Sequence, residues 1–247
     1  MRHQRFDIPT EGGACPAHLF APGDECRYPA IIFFMDAGGI RPAALAMAQR
    51  LASAGYVVLL PDLFYRFGPY DPIDVPTVLA EGFMQVLGPM MASTSNAKVA
   101  QDVLSFLKCL DARGDVRPGP FGAVGFCMGG GMAIAAAGTW PDRFAAVASF
   151  HGGNLATGAS DSPHRYAPKL RAELYLAVAE GDDSYPPAMA ERFEGALRSA
   201  QVSYQSDVYP AAHGWMKPDF PVYDPAAAER GWREMLLFFD RTLQIDD

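Results

Sequence analysis

The stretch Phe121-Gly122-Ala123-Val124-Gly125-Phe126-Cys127-Met128-Gly129-Gly130-Gly131 decides the fold of this chain. A short apolar run leads into Gly-x-Cys-x-Gly, and the helix-forming segment 132–137 follows directly. This pattern predicts a strand, a sharp turn and a helix, with Cys127 at the turn. Gly125 and Gly129 must be small there so that strand and helix can approach each other. The thiol would then lie at a helix N-terminus, where unpaired N–H groups favour a thiolate. The alternative is a buried free cysteine in a glycine-rich turn.

The composition limits the size and the partners of the molecule. At 247 residues, 50% of them hydrophobic and 19% charged, the chain can bury a substantial core as a single domain over 1–247. A formal net charge of −8 argues against nucleic acid and anionic membranes as partners. No apolar segment follows Met1, so we expect no signal peptide, no membrane span and a cytoplasmic location. A disulfide between Cys15 and Cys26 stays open, as does the choice between a monomer and a small homo-oligomer.

Buried strands alternate with helices along most of the chain. Apolar runs predict strands at 29–35, 56–60, 121–125, 145–150 and 172–179, with further strands at 3–8, 14–20 and 202–209. Helices are predicted at 42–54, 97–110, 129–138, 187–200 and 226–242. The fold class is therefore α/β, with a mostly parallel central sheet of about seven to eight strands and helices on both faces.

One long segment does not follow this alternation. Residues 61 to about 93 are rich in proline and glycine, and we interpret them as a long irregular stretch. Segments of this length inside a compact domain are usually functional or partly helical. We expect its aromatic residues to roof a pocket, namely Phe64, Tyr65, Phe67, Tyr70 and Phe83.

Polar residues follow the carboxyl ends of four predicted strands. They are Asp36, Cys127, His151 and Asp182. Open α/β sheets place their functional sites along that edge, so these side chains are candidates for one site. His151 fits either a pocket wall or a structural hydrogen-bonding role. The coincidence supports the interpretation of Cys127 as a nucleophile.

A thiol nucleophile needs a base, and the base needs a group that orients it. In α/β-hydrolases these members follow the order nucleophile, acid, histidine. Downstream of Cys127 the chain offers an acid at Asp182 or Asp183, and then His213 in the loop before the last helix. Of the five histidines only His213 has this order and loop. The others that stand away from the predicted edge are His3, His18 and His164.

Four separated motifs resemble the dienelactone hydrolase (carboxymethylenebutenolidase) family, which has the α/β-hydrolase fold. Residues 125–130 resemble its Gly-[Phe/Tyr]-Cys-x-Gly-Gly turn, and 61–66 resemble its Pro-Asp-Leu-Tyr-x-Arg stretch. Residues 212–215 resemble its Ala/Gly-His-[Gly/Ser]-[Phe/Trp] segment. The spacing from Asp182 to Pro186 matches the family's acid and following proline, which favours Asp182 over Asp183. The resemblance runs over nearly the whole chain.

The resemblance implies further residues around the thiol. Asp36 matches a family glutamate that pairs with the resting thiol, although its side chain is one methylene shorter. The backbone N–H groups of Ala37 and Met128 would form the oxyanion hole. The plain alternative for Asp36 is a turn residue.

The resemblance also implies the substrate. Arg66 and Lys217 match two family arginines that bind a substrate carboxylate, with solvated surface charges as the alternative; Lys217 lacks the bidentate fork of arginine. His151 and Trp215 are further candidates for substrate contact. We therefore expect a small anionic ester or lactone, such as a carboxylate-bearing enol-lactone, hydrolysed through a thioester without metal or organic cofactor.

Three other functions compete with this expectation. A generic carboxylesterase or thioesterase would use the same Cys–His–Asp residues without requiring a carboxylate on the substrate. A redox sensor would use Cys127 as an oxidisable thiol and would not turn over esters. A binding or scaffold protein would keep the fold without the chemistry.

Overall fold

The computed structural model describes residues 1–24 and 26–243, and its centre is one eight-stranded sheet. The strands are β1 (Arg2–Thr10), β2 (Gly13–Ala21), β3 (Ala30–Phe34), β4 (Val57–Pro61), β5 (Phe121–Phe126), β6 (Phe144–Phe150), β7 (Glu173–Ala179) and β8 (Tyr204–Tyr209). The helices are α1 (Pro42–Ser53), α2 (Val75–Glu81), α3 (Phe83–Ser93), α4 (Asn96–Asp111), α5 (Met128–Thr139), α6 (Pro187–Ser199) and α7 (Pro225–Leu243), with short 3-10 helices at Pro141–Arg143 and Pro163–Lys169. In the described part of the chain no helix has both the length and the apolar character that crossing a membrane requires.

The sheet is mostly parallel, as its apolar strands predict. Its order is β1-β2-β4-β3-β5-β6-β7-β8. The first two strands form an antiparallel hairpin, β2 pairs antiparallel with β4, and the remaining neighbours are parallel. Every residue of β3, β4 and β5 is buried, as expected for inner strands covered on both faces. These observations confirm the predicted α/β-hydrolase fold class.

Two glycines of β5 show that helices cover both faces of the sheet. Gly122 and Gly125 are three residues apart, so they face opposite sides. A Cβ atom at Gly122 would lie 2.8 Å from Leu243 and 3.2 Å from Phe239, both in α7. At Gly125 it would lie 2.0 Å from the carbonyl oxygen of Gly129 in α5. Helices α7 and α5 therefore lie on opposite faces of this strand.

The sheet changes its direction of growth at β3. From β3 the chain continues to β4 on one side, and β5 then pairs on the other side. Such a switch point opens a crevice beyond the carboxyl ends of the two strands. Asp36 follows β3 and Cys127 follows β5, so the topology brings both residues to this crevice.

The segment predicted to be irregular contains two helices. Asp74 caps α2 by accepting the backbone N–H of Thr77 at 3.2 Å, and Pro76 lies in the first turn, where a missing N–H is harmless. Gly82, with a φ of 103°, separates α2 from α3. The proline and glycine that suggested irregular structure instead delimit short helices.

Cys15 and Cys26, for which the sequence left a disulfide open, do not form one in the structure. Cys15 is buried in β2, and its sulfur lies 3.5 Å from the carbonyl oxygen of Asp62. Burial raises the pKa of this thiol above its ordinary value. Cys26 is exposed, and both residues are free thiols.

Candidate active site

Cys127 stands in strained backbone between β5 and α5. Its φ of 55° and ψ of −120° fall in a region that residues with side chains rarely adopt. A Cβ atom at Gly129 would lie 2.3 Å from the carbonyl oxygen of Phe34, so strand β3 tolerates only glycine beside this turn. The close approach that the sequence predicted for Gly125 and Gly129 is thus present. The turn exposes the thiol at the first turn of α5, where it lines a cavity.

The loops after β7 and β8 bring Asp182 and His213 together. His213 Nδ1 lies 2.6 Å from Asp182 Oδ2, and the carboxylate is buried. His213 lines the same cavity as Cys127. With Nδ1 held by the carboxylate, Nε2 is the ring nitrogen left for the thiol. Asp183 is exposed on the same loop, so the geometry selects Asp182.

The surroundings of His213 favour its charged form. Burial lowers the pKa of this imidazole, but the hydrogen bond to Asp182 and the interaction with Cys127 outweigh burial and raise the pKa to about 10. Burial likewise raises the pKa of Asp182, yet its hydrogen bonds from His213 and Ser184 bring it below the ordinary value. The site therefore holds an imidazolium between a carboxylate and a thiol.

Ser184, which was not among the residues predicted from the sequence, also contacts Asp182 and His213. Its hydroxyl donates to Asp182 Oδ1 at 2.6 Å and lies 3.1 Å from His213 Nδ1. Its backbone N–H donates to the same carboxylate oxygen at 2.8 Å. Ser184 therefore fixes the rotamer of the acid and, through it, the orientation of the imidazole.

Replacing Ser184 by alanine is expected to lower kcat/KM for ester hydrolysis about fivefold. The hydroxyl contributes one hydrogen bond of about 1 kcal/mol, while the backbone N–H still holds the carboxylate. Steady-state kinetics on 4-nitrophenyl acetate would measure the loss, and Ser184→Thr, which keeps a hydroxyl, is the matched control. Equal losses in both variants would contradict an orienting role for this hydroxyl.

Two backbone N–H groups lie where an oxyanion hole is predicted. Ala37 follows β3 and Met128 opens α5, and both residues line the cavity beside Cys127. Met128 is the first residue of its helix, so its N–H has no acceptor within the helix. The roles of both groups stay a prediction.

Asp36 does not stand as a free carboxylate for the thiol. It is buried, its Oδ2 lies 2.6 Å from Lys217 Nζ, and Arg41 approaches both oxygens at 2.9 and 3.2 Å. Burial raises the pKa of Asp36, but Lys217 and Arg41 outweigh burial and hold it well below its usual value. Arg41 also pairs with Asp219 at 2.5 Å. Asp36 is therefore one member of a buried charge network with Lys217 and Arg41, and its pairing with the thiol stays a prediction.

Lys217 lies at the cavity but already has a partner. Its side chain is 1% exposed and its ammonium lies 4.1 Å from the centre of the Phe126 ring. Burial lowers the pKa of Lys217 more than Asp36 raises it. Lys217 was predicted to bind a substrate carboxylate. In the structure its ammonium is paired with the carboxylate of Asp36 instead.

Arg66 lies away from the cavity that contains Cys127. Its guanidinium makes a bidentate pair with Asp102 at 2.7 and 2.8 Å and packs over the ring of Tyr65. Asp102 is buried in α4, so it needs this cation. Helix α4 thus supplies the anion that Arg66 binds, and a substrate-binding role for Arg66 stays a prediction. Among the aromatic residues predicted to roof the pocket, Phe83 lines the cavity that contains Cys127. Tyr65 and Tyr70 line a different cavity.

His151 and Trp215 form a layer behind His213. The ring of His151 lies 5.1 Å from that of His213 and 5.0 Å from that of Trp215. His151 lines the cavity, is buried, and both its ring nitrogens lack a hydrogen-bond partner among the described residues. Burial, with His213 and Lys217 nearby, holds the pKa of His151 well below its usual value. Trp215 is fully buried, stacks on Tyr209, and supports the wall from behind.

The cavity next to Cys127 has a volume of about 660 Å³. This size suits a small molecule. The sheet order, the strained turn after β5 and the loops carrying Asp182 and His213 define the chain as an α/β-hydrolase. The comparisons with known proteins give the family.

The chain belongs to the dienelactone hydrolase family, whose model matches residues 15–243. A "Putative carboxymethylenebutenolidase" of Escherichia coli (strain K12) is 30% identical over 239 residues, covering 94% of this chain and 84% of the relative. One of the same name from Synechocystis sp. is 26% identical and covers 96% of both chains. A crystal structure titled as a "Putative Dienelactone Hydrolase" from Klebsiella pneumoniae has a TM-score of 0.82 at 25% identity, covering 97% of this chain and 98% of that one. The protein is a hydrolase of the ester or lactone type.

Proposed function

We propose that this protein hydrolyses esters and lactones with Cys127 as nucleophile, His213 as the proton-transferring base and acid, and Asp182 as the group that orients His213. The observation that carries the proposal is the 2.6 Å contact between His213 and Asp182, on the cavity that the strained Cys127 lines. Family membership supports hydrolysis of the ester or lactone type.

The proposed reaction begins with acyl transfer to the thiol. The thiolate of Cys127 attacks the ester carbonyl, a C–S bond forms, and the oxyanion is held by the N–H groups of Ala37 and Met128. The C–O bond to the leaving group then breaks, and the imidazolium of His213 gives its proton to the departing oxygen. The product of this half is a thioester on the enzyme.

Water completes the cycle. His213, now neutral at Nε2, takes a proton from water as the water oxygen attacks the thioester carbonyl. The C–S bond breaks, the acid is released, and the thiolate and imidazolium are restored. Throughout, Asp182 keeps the Nδ1 proton in place and stabilises the ring when it is charged.

A carboxylate on the substrate is not part of this proposal. That expectation rests on Arg66 and Lys217 as the cations that would bind the carboxylate. Arg66 is paired with Asp102 outside the cavity, and Lys217 is paired with Asp36. The geometry therefore favours the alternative hypothesis of a generic carboxylesterase or thioesterase, which does not require a carboxylate on its substrate.

The proposed thioester can be trapped and weighed. Rapid quenching of the reduced protein with excess 4-nitrophenyl acetate, followed by peptide mass spectrometry, is expected to find an acetyl group on Cys127. Cys127→Ala is expected to show no adduct, while Cys109→Ala, which removes a half-buried thiol elsewhere, keeps it. A protein that turns over no ester in reductant but is modified by peroxide at Cys127 would contradict the proposal and support the redox sensor.

A further inference from the structure

The walls of the cavity beside Cys127 are mostly apolar, and most of their apolar side chains come from three parts of the chain. Helices α2 and α3 contribute one wall, the start of α5 a second, and the loop before α7 the third. The apolar side chains include Leu79, Phe83, Met84 and Met91 of the first wall and Phe220 and Val222 of the third. We call the wall made by the first four of these the helical wall.

The helical wall leaves large apolar side chains in water. Met84 is 64% exposed and Leu79 is 41% exposed, although both line the cavity. Phe83 lies between them in sequence and is half-buried. A rim of this kind gains free energy when a bound apolar group covers it. Methionine side chains are flexible enough to adapt to chains of different shape.

The charges at the cavity do not favour an anion. Lys217 is paired with Asp36 and the imidazolium of His213 is paired with Asp182, so in the described part of the chain the cavity wall has no unpaired cationic side chain. Asp161 also lines the cavity; it accepts the N–H of Ala97 and, among the described residues, makes no ion pair. A substrate carboxylate would meet this like charge, or would have to break the buried pair of Asp36 and Lys217.

Two uncharged polar side chains are also available at the cavity. Burial keeps His151 neutral, and both its ring nitrogens are unpartnered. The buried hydroxyl of Thr94 also lacks a partner among the described residues and lies on the same cavity. Such groups can hydrogen-bond a neutral substrate without the desolvation cost of a second charge.

We propose that the substrates of this site are uncharged esters that carry an extended apolar group, and that the helical wall selects them. This inference rests on the proposed ester hydrolysis. It names the substrate class, and it reverses the expectation of a carboxylate-bearing lactone.

A pair of esters with the same shape tests the charge. Mono-(4-nitrophenyl) glutarate and 4-nitrophenyl 5-methylhexanoate differ by a terminal carboxylate in place of an isopropyl group. We expect kcat/KM to be at least about tenfold higher for the neutral ester, since the site has no free cation to replace the water around the carboxylate. Equal values, or a preference for the glutarate, would overturn the inference.

Chain length and the helical wall form the second arm. We expect kcat/KM to rise at least about tenfold from 4-nitrophenyl acetate to the octanoate, since added methylenes are buried against the wall. Met84→Ser and Leu79→Ser should lower the octanoate-to-acetate ratio. The control is Leu237→Ser in α7, where the leucine is as exposed as Met84 (64%). This variant should leave the octanoate-to-acetate ratio unchanged. A flat chain-length series, or an unchanged ratio in both wall variants, would contradict the proposal.

A binding measurement separates this inference from the proposed function. Calorimetry with the unreactive anilides of 5-methylhexanoic acid and glutaric acid reports the preference of the cavity without turnover. Tighter binding of the neutral anilide supports the inference even if no ester is hydrolysed, an outcome that would contradict the proposed function alone. Tighter binding of the acidic anilide would overturn the inference, whatever the rate on esters.

Discussion

Replacing His213 by glutamine is expected to lower kcat/KM for 4-nitrophenyl acetate by about 10³- to 10⁴-fold. We expect a smaller loss than the roughly 10⁶-fold that follows removal of the histidine from a serine-based set, because a cysteine thiol is intrinsically the stronger nucleophile. Two steps fail together here. In the proposed reaction the thiolate of Cys127 loses its neighbouring cation without the imidazolium, and without a base the water that releases the thioester is not activated.

The glutamine variant also has a structural control. His213 is half-buried and its main partner is Asp182, so the variant should fold, and its thermal unfolding should confirm this. His3→Gln, at an exposed histidine on β1, is the matched control and should keep full activity. A loss smaller than about tenfold for His213→Gln would mean that another group transfers the proton.

The fold was predictable because its signals are local and repeated. Continuous apolar runs identify the buried strands, and the glycines around Cys127 identify the sharp turn, since no other residue fits the close approach of α5 to β3 and β5. Helices α2 and α3 were missed for the converse reason. They are short, and the proline and glycine that bound them carry the same composition as an irregular loop.

Some of the predicted site residues are placed by the order of the strands, whereas the contacts of others depend on tertiary packing. Cys127, Asp182 and His213 each follow a strand on the same edge, so strand order alone brings them close. In contrast, Asp36 pairs with Arg41, and Arg66 pairs with Asp102. Both partners lie on other elements and belong to no sequence motif. Pairing of long side chains is decided by packing in three dimensions, and spacing along the chain does not report it.

The sequence does contain a signal for the contact between Ser184 and Asp182. It stands two residues after Asp182, and an aspartate commonly accepts the backbone N–H two residues on, as it does here at 2.8 Å. A serine at that position also offers its hydroxyl to the same carboxylate. The pattern Asp-x-Ser after a strand therefore indicated a braced acid and further favoured Asp182 over its neighbour.

Replacing Asp36 by asparagine is expected to destabilise the protein by about 3–5 kcal/mol, because the change leaves a buried lysine without its carboxylate. Lys217 is 1% exposed and Asp36 is 2% exposed, so water cannot replace the lost charge. Arg41 keeps its second partner, Asp219, and asparagine can still accept the N–H of Gly38. The measurement is the free energy of unfolding from urea titration at pH 7.

A second substitution should recover most of that loss. In the double variant Asp36→Asn/Lys217→Met the buried ammonium is replaced by an apolar side chain, which would pack against Phe33, Met47 and Phe126. Glu229→Gln, which breaks an exposed pair with Arg50, should cost less than about 1 kcal/mol. If the double variant were no more stable than Asp36→Asn, the loss would come from the carboxylate's shape or hydrogen bonds rather than from an unpaired cation.

The pH dependence of the single variant distinguishes charge from packing. Burial already lowers the pKa of Lys217, and removing the anion of Asp36 lowers it further. A lysine whose folded pKa lies below its unfolded value of about 10.4 destabilises the fold at low pH, since the unfolded chain binds the extra proton. The stability gap between Asp36→Asn and the parent should therefore narrow as pH rises from 7 towards 10, because Lys217 can then be buried neutral. A gap that stays constant over this range would show that the lost interaction is not electrostatic, whereas a narrowing gap that is absent from the double variant would assign it to Lys217.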